Sequence, residues 1–233
     1  MSKIIEKIIL ISGGSDGLGL ATAKSLSRDH TVIILATSRE KCESAVKYHN
    51  VDDYVLADLT KEKDVEKAVK SVIKKYGHID VLINNAGVWI EGPLEENDPE
   101  KIKKVMEVNS LGTIFLTQQV LPYMKKLRSG RIINVVSQAG LIPKAERSVY
   151  RASKYAVRGF TESLIPEVAP YNISICGFYP DKMNTNFFKK AGEKIKTNDF
   201  IDVSESVRCL EFMVNTSPDL NIPILGLKKL SYY

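Results

Sequence analysis

Ile8-Ile9-Leu10-Ile11-Ser12 runs directly into Gly13-Gly14-Ser15-Asp16-Gly17-Leu18-Gly19, and then into Leu20-Ala21-Thr22-Ala23-Lys24-Ser25-Leu26. The first segment is apolar and mostly β-branched, which predicts a buried strand. The last is a helix-forming stretch. Between them, glycines permit positive φ, let backbone come close to a pyrophosphate, and let the helix start hard against the strand. A glycine-rich turn alone also occurs in ordinary strand-to-helix loops. In this strand-turn-helix setting it points to dinucleotide binding.

Beyond this stretch, apolar runs bounded by turn residues recur at Thr31–Ala36, Tyr54–Leu56, Val81–Asn84, Ile132–Val136, Ile173–Gly177 and, more weakly, Ile222–Leu225. With Ile8–Ser12 they predict about seven strands. Helix-length segments lie between them, with apolar residues three and four apart, as at Val65, Ala68, Val69, Val72 and Ile73. Strands that are apolar on both faces and alternate with helices predict an α/β fold, a doubly wound parallel sheet with helices on both faces. Ligands are then expected at the carboxyl ends of the strands, where the strand order reverses. No linker or repeat divides the chain, so residues 1–233 are read as a single Rossmann domain.

At 233 residues and 44% hydrophobic, the chain can bury one substantial core. Its net charge of +5 comes from cations interleaved with acids, whereas a nucleic-acid footprint would need clustering. The lysines at 101–104 and 189–196 read as solvated helix faces, some of them able to steer a phosphorylated cofactor. The apolar run Ile8–Ile11 is too short for a signal-peptide core or a bilayer span. The expectation is a soluble, cytoplasmic protein with no membrane or nucleic-acid partner. Cys42, Cys176 and Cys209 are far apart and form no CxxC pair, so neither a disulfide framework nor a metal site is expected.

Further motifs follow in order: Asp58-Leu59, Asn84-Asn85-Ala86-Gly87, Asn109, Ser137, and Tyr150-Arg151-Ala152-Ser153-Lys154. Twelve residues separate Ser137 from Tyr150. On a helix, Tyr150 and Lys154 share a face, so an ammonium near the phenol would favour phenolate and let Tyr150 exchange a proton with a substrate oxygen. The alternative, a Tyr/Lys pair as surface decoration, loses ground because the other motifs accompany it.

With the Gly13-xxx-Gly17-x-Gly19 spacing, this combination resembles the short-chain dehydrogenase/reductase family, in register from about Ile8 to Thr185. The resemblance implies catalytic roles for Asn109, Ser137, Tyr150 and Lys154. Ser137 would orient the substrate oxygen, and Asn109 would hold a backbone kink and a water linked to Lys154. It implies cofactor contacts from Gly13, Ser15, Asp16, Gly17, Leu18 and Gly19 in the glycine turn. Asp58 and Leu59 would meet adenine, and Asn84 and Gly87, with Asn85 and Ala86 between them, would line the ribose side, where a structural role competes. Tyr150 and Lys154 would also touch the cofactor. After the sixth strand, Pro180, Met183 and Thr185 would fix the nicotinamide carboxamide, with Asp181 standing where the family has a glycine.

The second strand ends in Ala36-Thr37-Ser38-Arg39 with no acid to bond a ribose 2′-hydroxyl. Ser38 and Arg39 suit a phosphate, so NADP(H) is favoured over NAD(H). Arg39 could instead pair with Glu40 or Glu43. Residues from about 184 to 200, opening with Phe187 and Phe188, are expected to form a substrate lid, and Trp89 to line the pocket entrance or merely to pack. The leading expectation is hydride transfer between NADP(H) and a small carbonyl or alcohol substrate by a homo-oligomer, a dimer or tetramer. The alternatives are an epimerase or dehydratase, disfavoured because those relatives carry a larger C-terminal substrate domain, and a catalytically silent NADP(H)-binding sensor or scaffold.

Overall fold

The structure is a computed structural model and describes residues 5–192 and 200–230. Seven parallel strands form one sheet in the order β3-β2-β1-β4-β5-β6-β7. The strands are β1 (Ile8–Ser12), β2 (Thr31–Ala36), β3 (Asp53–Leu56), β4 (Val81–Asn84), β5 (Gly130–Val135), β6 (Ile173–Pro180) and β7 (Ile224–Leu227). The order reverses between β1 and β4, which opens a crevice at their carboxyl ends.

Side-chain alternation along each strand divides the core into two layers. Ile9, Ile11, Ile34 and Ile83 pack against α1 (Gly17–Leu26), α2 (Arg39–His49) and α8 (Val203–Asn215). Leu10, Ile33, Leu35 and Leu82 pack against α3 (Glu62–Tyr76), α5 (Gly112–Leu127) and α6 (Ser148–Val168). Both faces are thus covered, and each fully buried aliphatic side chain stabilises the fold by about 1.5–3 kcal/mol. Helix α4 (Pro99–Met106) joins α5 through a π-helical turn, Glu107–Leu111, and a short α7 (Phe187–Lys190) lies near the crevice.

The expected strands are all present, β1, β2 and β4 with the expected ends and the other four with shifted ones. β7 starts at Ile224 rather than Ile222 because Pro223 has no N–H to donate; its carbonyl instead accepts from Gly177 N at 3.1 Å. β6 continues past Gly177 to Pro180. The proline is tolerated there because β5 has already turned away, Val136 N and Ser137 N both donating to the Phe178 carbonyl.

Arg131, on β5, is buried and was not singled out from the sequence. Its guanidinium donates to Ser174 Oγ and to the carbonyls of Met213, Thr216, Ser217 and Leu220 at 2.5–3.0 Å, which ties the end of α8 and the loop after it to the sheet. The three cysteines are free thiols. Among the described residues, no helix is long and apolar enough to cross a membrane.

Candidate active site

At the carboxyl ends of the strands lies a cavity of about 410 Å³. Its floor is the glycine turn. Gly13 sits at φ +65°, and a Cβ there would come within 2.9 Å of Ala86 Cα; a Cβ on Gly19 would meet the Gly13 carbonyl oxygen at 2.3 Å. Glycine is therefore required where the turn approaches β4 and where α1 begins. Ser12 Oγ accepts from both Asn85 N and Ala86 N at 3.1 Å, and Asn85 Nδ2 donates back to the Ser12 carbonyl at 3.0 Å. Ser12 went unnoticed in the sequence, where it reads as a strand's last residue.

Asp16 caps α1, accepting from Gly17 N at 2.7 Å, and also pairs with Lys41 at 3.0 Å and Lys190 at 2.7 Å. Burial by itself would raise its carboxyl, but Lys190, Lys41 and the Gly17 N–H hold it down at about 2. The acid in the glycine turn is thus charge-compensated by two lysines. Asp58 and Leu59 stand on the cavity wall, with Asp58 Oδ1 accepting from Thr60 N and Oγ1. Asn85, Ala86 and Gly87 line the wall as expected, whereas Asn84 does not. It is buried in the sheet, donating to Thr117 Oγ1 and Asn134 Oδ1.

Three expected cofactor residues lie off the wall. Gly19 is behind the turn, and Ser38 caps α2 by accepting from Lys41 N at 3.4 Å. Arg39 points along α2, donating to Tyr54 Oη at 3.2 Å and pairing with Glu43 at 3.7 Å. Ala36 and Thr37 line the cavity at that end of β2 instead.

Helix α6 places Tyr150 and Lys154 one turn apart on the wall that also holds Ser137. Asn109 is fully buried behind them within the π-helical turn, the form taken by the expected kink. Its side chain accepts from Val88 N at 2.8 Å and donates to the Val88 carbonyl and to Ser153 Oγ at 3.0 Å. Ser153 Oγ donates in turn to the Tyr150 carbonyl at 2.7 Å, so Asn109 braces the helix that carries Tyr150. Ser137 sits at φ +92°, ψ 154°, a backbone conformation side chains avoid, at a cost of about 1–3 kcal/mol.

The titration of the pair departs from expectation. Burial pushes the Tyr150 phenol up to about 12, against the Ser137 hydrogen bond and the charges of Arg151 and Arg147. Burial also lowers Lys154 to about 8. Trp89 covers the phenol ring at a centroid distance of 4.4 Å, and Phe187 stands 6.3 Å away, so desolvation outweighs the Ser137 hydrogen bond and the two arginine charges. The phenol is neutral at pH 7 rather than poised as phenolate.

Pro180, Met183 and Thr185 line the wall near the glycine turn. Asp181 causes no strain at the position where a glycine was expected: its φ is not positive, its N–H donates to the Leu227 carbonyl at 2.9 Å, and its Oδ1 accepts from Lys182 N. Phe187 and Phe188 both face the cavity and pack on Trp89. Of the expected lid, residues 193–199 lie outside the described residues. Arg147 and Arg151, given no role from the sequence, also line the cavity. Their one signal was spacing: they stand four apart, on either side of Tyr150.

The family model for short chain dehydrogenase matches residues 7–196. The chain is 40% identical to a 3-ketodihydrosphingosine reductase of Bacteroides thetaiotaomicron, over 78% of this chain; the match spans 65% of that relative's length. It is 35% identical to the 3-oxoacyl-acyl-carrier-protein reductase FabG of Thermotoga maritima, over 82% of this chain and 79% of that one. Among solved structures, a variant actinorhodin polyketide ketoreductase with NADPH superposes at a TM-score of 0.88, with 25% identity and full coverage of both chains, 100% each.

Proposed function

We propose, from the premise that this chain belongs to the short chain dehydrogenase family, that it is an NADP(H)-dependent oxidoreductase acting on a carbonyl or secondary alcohol. One observation carries the reading: Ser137, Tyr150 and Lys154 share a cavity wall with the glycine turn, braced from behind by Asn109.

The residues fit a dinucleotide. The crowded glycine positions and the N-terminus of α1 would hold its pyrophosphate, Asp58 and Leu59 its adenine end, and Pro180, Met183 and Thr185 its carboxamide. When bound, nicotinamide supplies or accepts the hydride. In the reducing direction, the neutral Tyr150 phenol donates a proton to the substrate oxygen, which the Ser137 hydroxyl orients. Lys154, within the same wall, holds charge near the reacting oxygen. Trp89, Phe187 and Phe188 exclude water from the phenol.

The preference for NADP(H) is supported by the absence of an acid at the end of β2 and by the compensation of Asp16 by Lys41 and Lys190. Arg39 would have to leave Glu43 to reach a 2′-phosphate. The free cysteines favour a reducing, cytoplasmic setting. A homo-oligomer is expected from the family resemblance and is checked by size-exclusion chromatography with light scattering.

The deciding experiment follows NADPH and NADH oxidation against ketones, aldehydes and 3-oxoacyl thioesters, with Tyr150→Phe alongside. Turnover that prefers NADPH and vanishes in the variant, while NADPH binding persists, is the expected result. Tight NADPH binding without turnover by the unaltered chain would favour the sensor reading instead.

A further inference from the structure

Two side chains on the substrate side of the cavity carry three donor atoms with nothing to donate to. Arg151 Nε and Nη1 and Trp89 Nε1 are shut off from solvent and meet no acceptor among the described residues. Both side chains line the cavity. Donors in this condition cost free energy unless a ligand completes them.

Arg151 stands in the first turn of α6, one residue past Tyr150, and no acid occupies that turn. Its cation therefore faces the positive end of the helix dipole. Arg147 cannot offset it: it is itself a cation, held by Glu91 through Nε at 2.7 Å and Nη2 at 2.5 Å, and stacked 5.0 Å over the Trp89 ring. Asp181 also lines the cavity and its charge acts on Arg151 through space, raising its pKa, but no hydrogen bond joins the two and the Asp181 Oδ1 accepts from Lys182 N. Burial, followed by the Arg147 charge, pushes the Arg151 guanidinium below its ordinary value.

We propose that Arg151, with the Trp89 indole, binds an anionic oxygen group on the substrate, so that the substrate is a carbonyl compound carrying a carboxylate or phosphoryl group. The inference rests on the oxidoreductase reading only for the carbonyl; the anion site stands on the unpaired donors. A guanidinium carries its charge and its donors in one fixed plane and makes charge-assisted hydrogen bonds to such an oxyanion, which a freely rotating ammonium orients less well. Trp89, Phe187 and Phe188 supply an aromatic wall for the substrate's apolar part.

Trp89 is the sole tryptophan of the chain, so its fluorescence reports directly on this site. The full chain would be titrated with benzoylformate, its uncharged methyl ester, and benzoylphosphonate, in the unaltered form and as Arg151→Gln and Arg151→Lys. At least one anion is expected to bind about tenfold or more tightly than the ester, the scale of a charge-assisted hydrogen bond. Which anion leads separates the carboxylate from the phosphoryl source. The ratio should collapse toward one in Arg151→Gln and recover in part in Arg151→Lys, which also guards against a folding defect.

Equal affinity for anion and ester, or a preference that survives Arg151→Gln, would overturn the proposal. NADPH oxidation with the same compounds separates the two readings. Selective binding without turnover keeps the anion site and counts against the oxidoreductase; turnover of the ester with no anion preference does the reverse.

Discussion

The Lys154 ammonium donates to the Val135 carbonyl at 2.9 Å and stands 6.0 Å from the centre of the Tyr150 ring. Strand β5 thus anchors the cation, and burial decides the protonation of both groups: the phenol stays neutral, and the ammonium is weakened to about 8.

This makes Lys154 a stability cost with a defined pH window. Its folded pKa of about 8 lies below the ordinary 10.5, so between those values the unfolded chain binds more protons and stability rises with pH. Below about pH 8 the full cost of the buried charge is present, on the order of a few kcal/mol. Lys154→Met is expected to raise the melting temperature at pH 6.5 by several degrees and to lose most of that advantage by pH 10, while abolishing turnover. Thermal melts of both proteins at the two pH values check this; an advantage that does not depend on pH would contradict it.

Ser137 pairs a strained backbone with a hydroxyl on the cavity wall. Ser137→Gly and Ser137→Ala both remove the hydroxyl and its acceptance from Ala139 N, but only glycine relieves φ +92°. Both should lower turnover at least about tenfold. The glycine variant should nevertheless be the more stable of the two by about 1–2 kcal/mol, opposite to the usual order of these residues. Urea denaturation compares them.

Gly19→Ala places a Cβ against the Gly13 carbonyl and Asn85 Nδ2, at 2.3 and 2.5 Å, and should weaken NADPH binding and destabilise the fold by about 2 kcal/mol or more. Gly159→Ala, in α6 with nothing within 4 Å of the new Cβ, should stabilise by about 0.5–1 kcal/mol. Denaturation midpoints and NADPH titration should move in opposite senses for stability and only in Gly19→Ala for binding.

Arg131→Lys keeps the charge but cannot reach five acceptors. A loss of about 2–4 kcal/mol is expected, with the first loss of amide-exchange protection at the end of α8 and residues 216–220. Protection that falls evenly over the whole sheet would show that Arg131 does not act locally.

The strand-turn-helix at Ile8–Leu26, the parallel sheet and the positions of Gly13, Tyr150 and Lys154 were legible in the chain itself. Periodicity, turn chemistry and helical spacing operate over a few residues, and their spelling is local. What only the tertiary structure decided are quantities set by neighbours remote in sequence. Asp16 is compensated by Lys190, and Arg131 finds its acceptors on β6, at the end of α8 and in the loop after it. The Tyr150 phenol is desolvated beneath Trp89 from another loop, which reverses the shift that helical spacing alone suggested. Arg39 also reaches Tyr54 on β3, away from the cavity, whereas its pairing with Glu43 one helical turn on was already open in the sequence. Local sequence can position a charged or polar group on its element, but its pKa and its partners depend on the burial and fields that the whole fold creates around it.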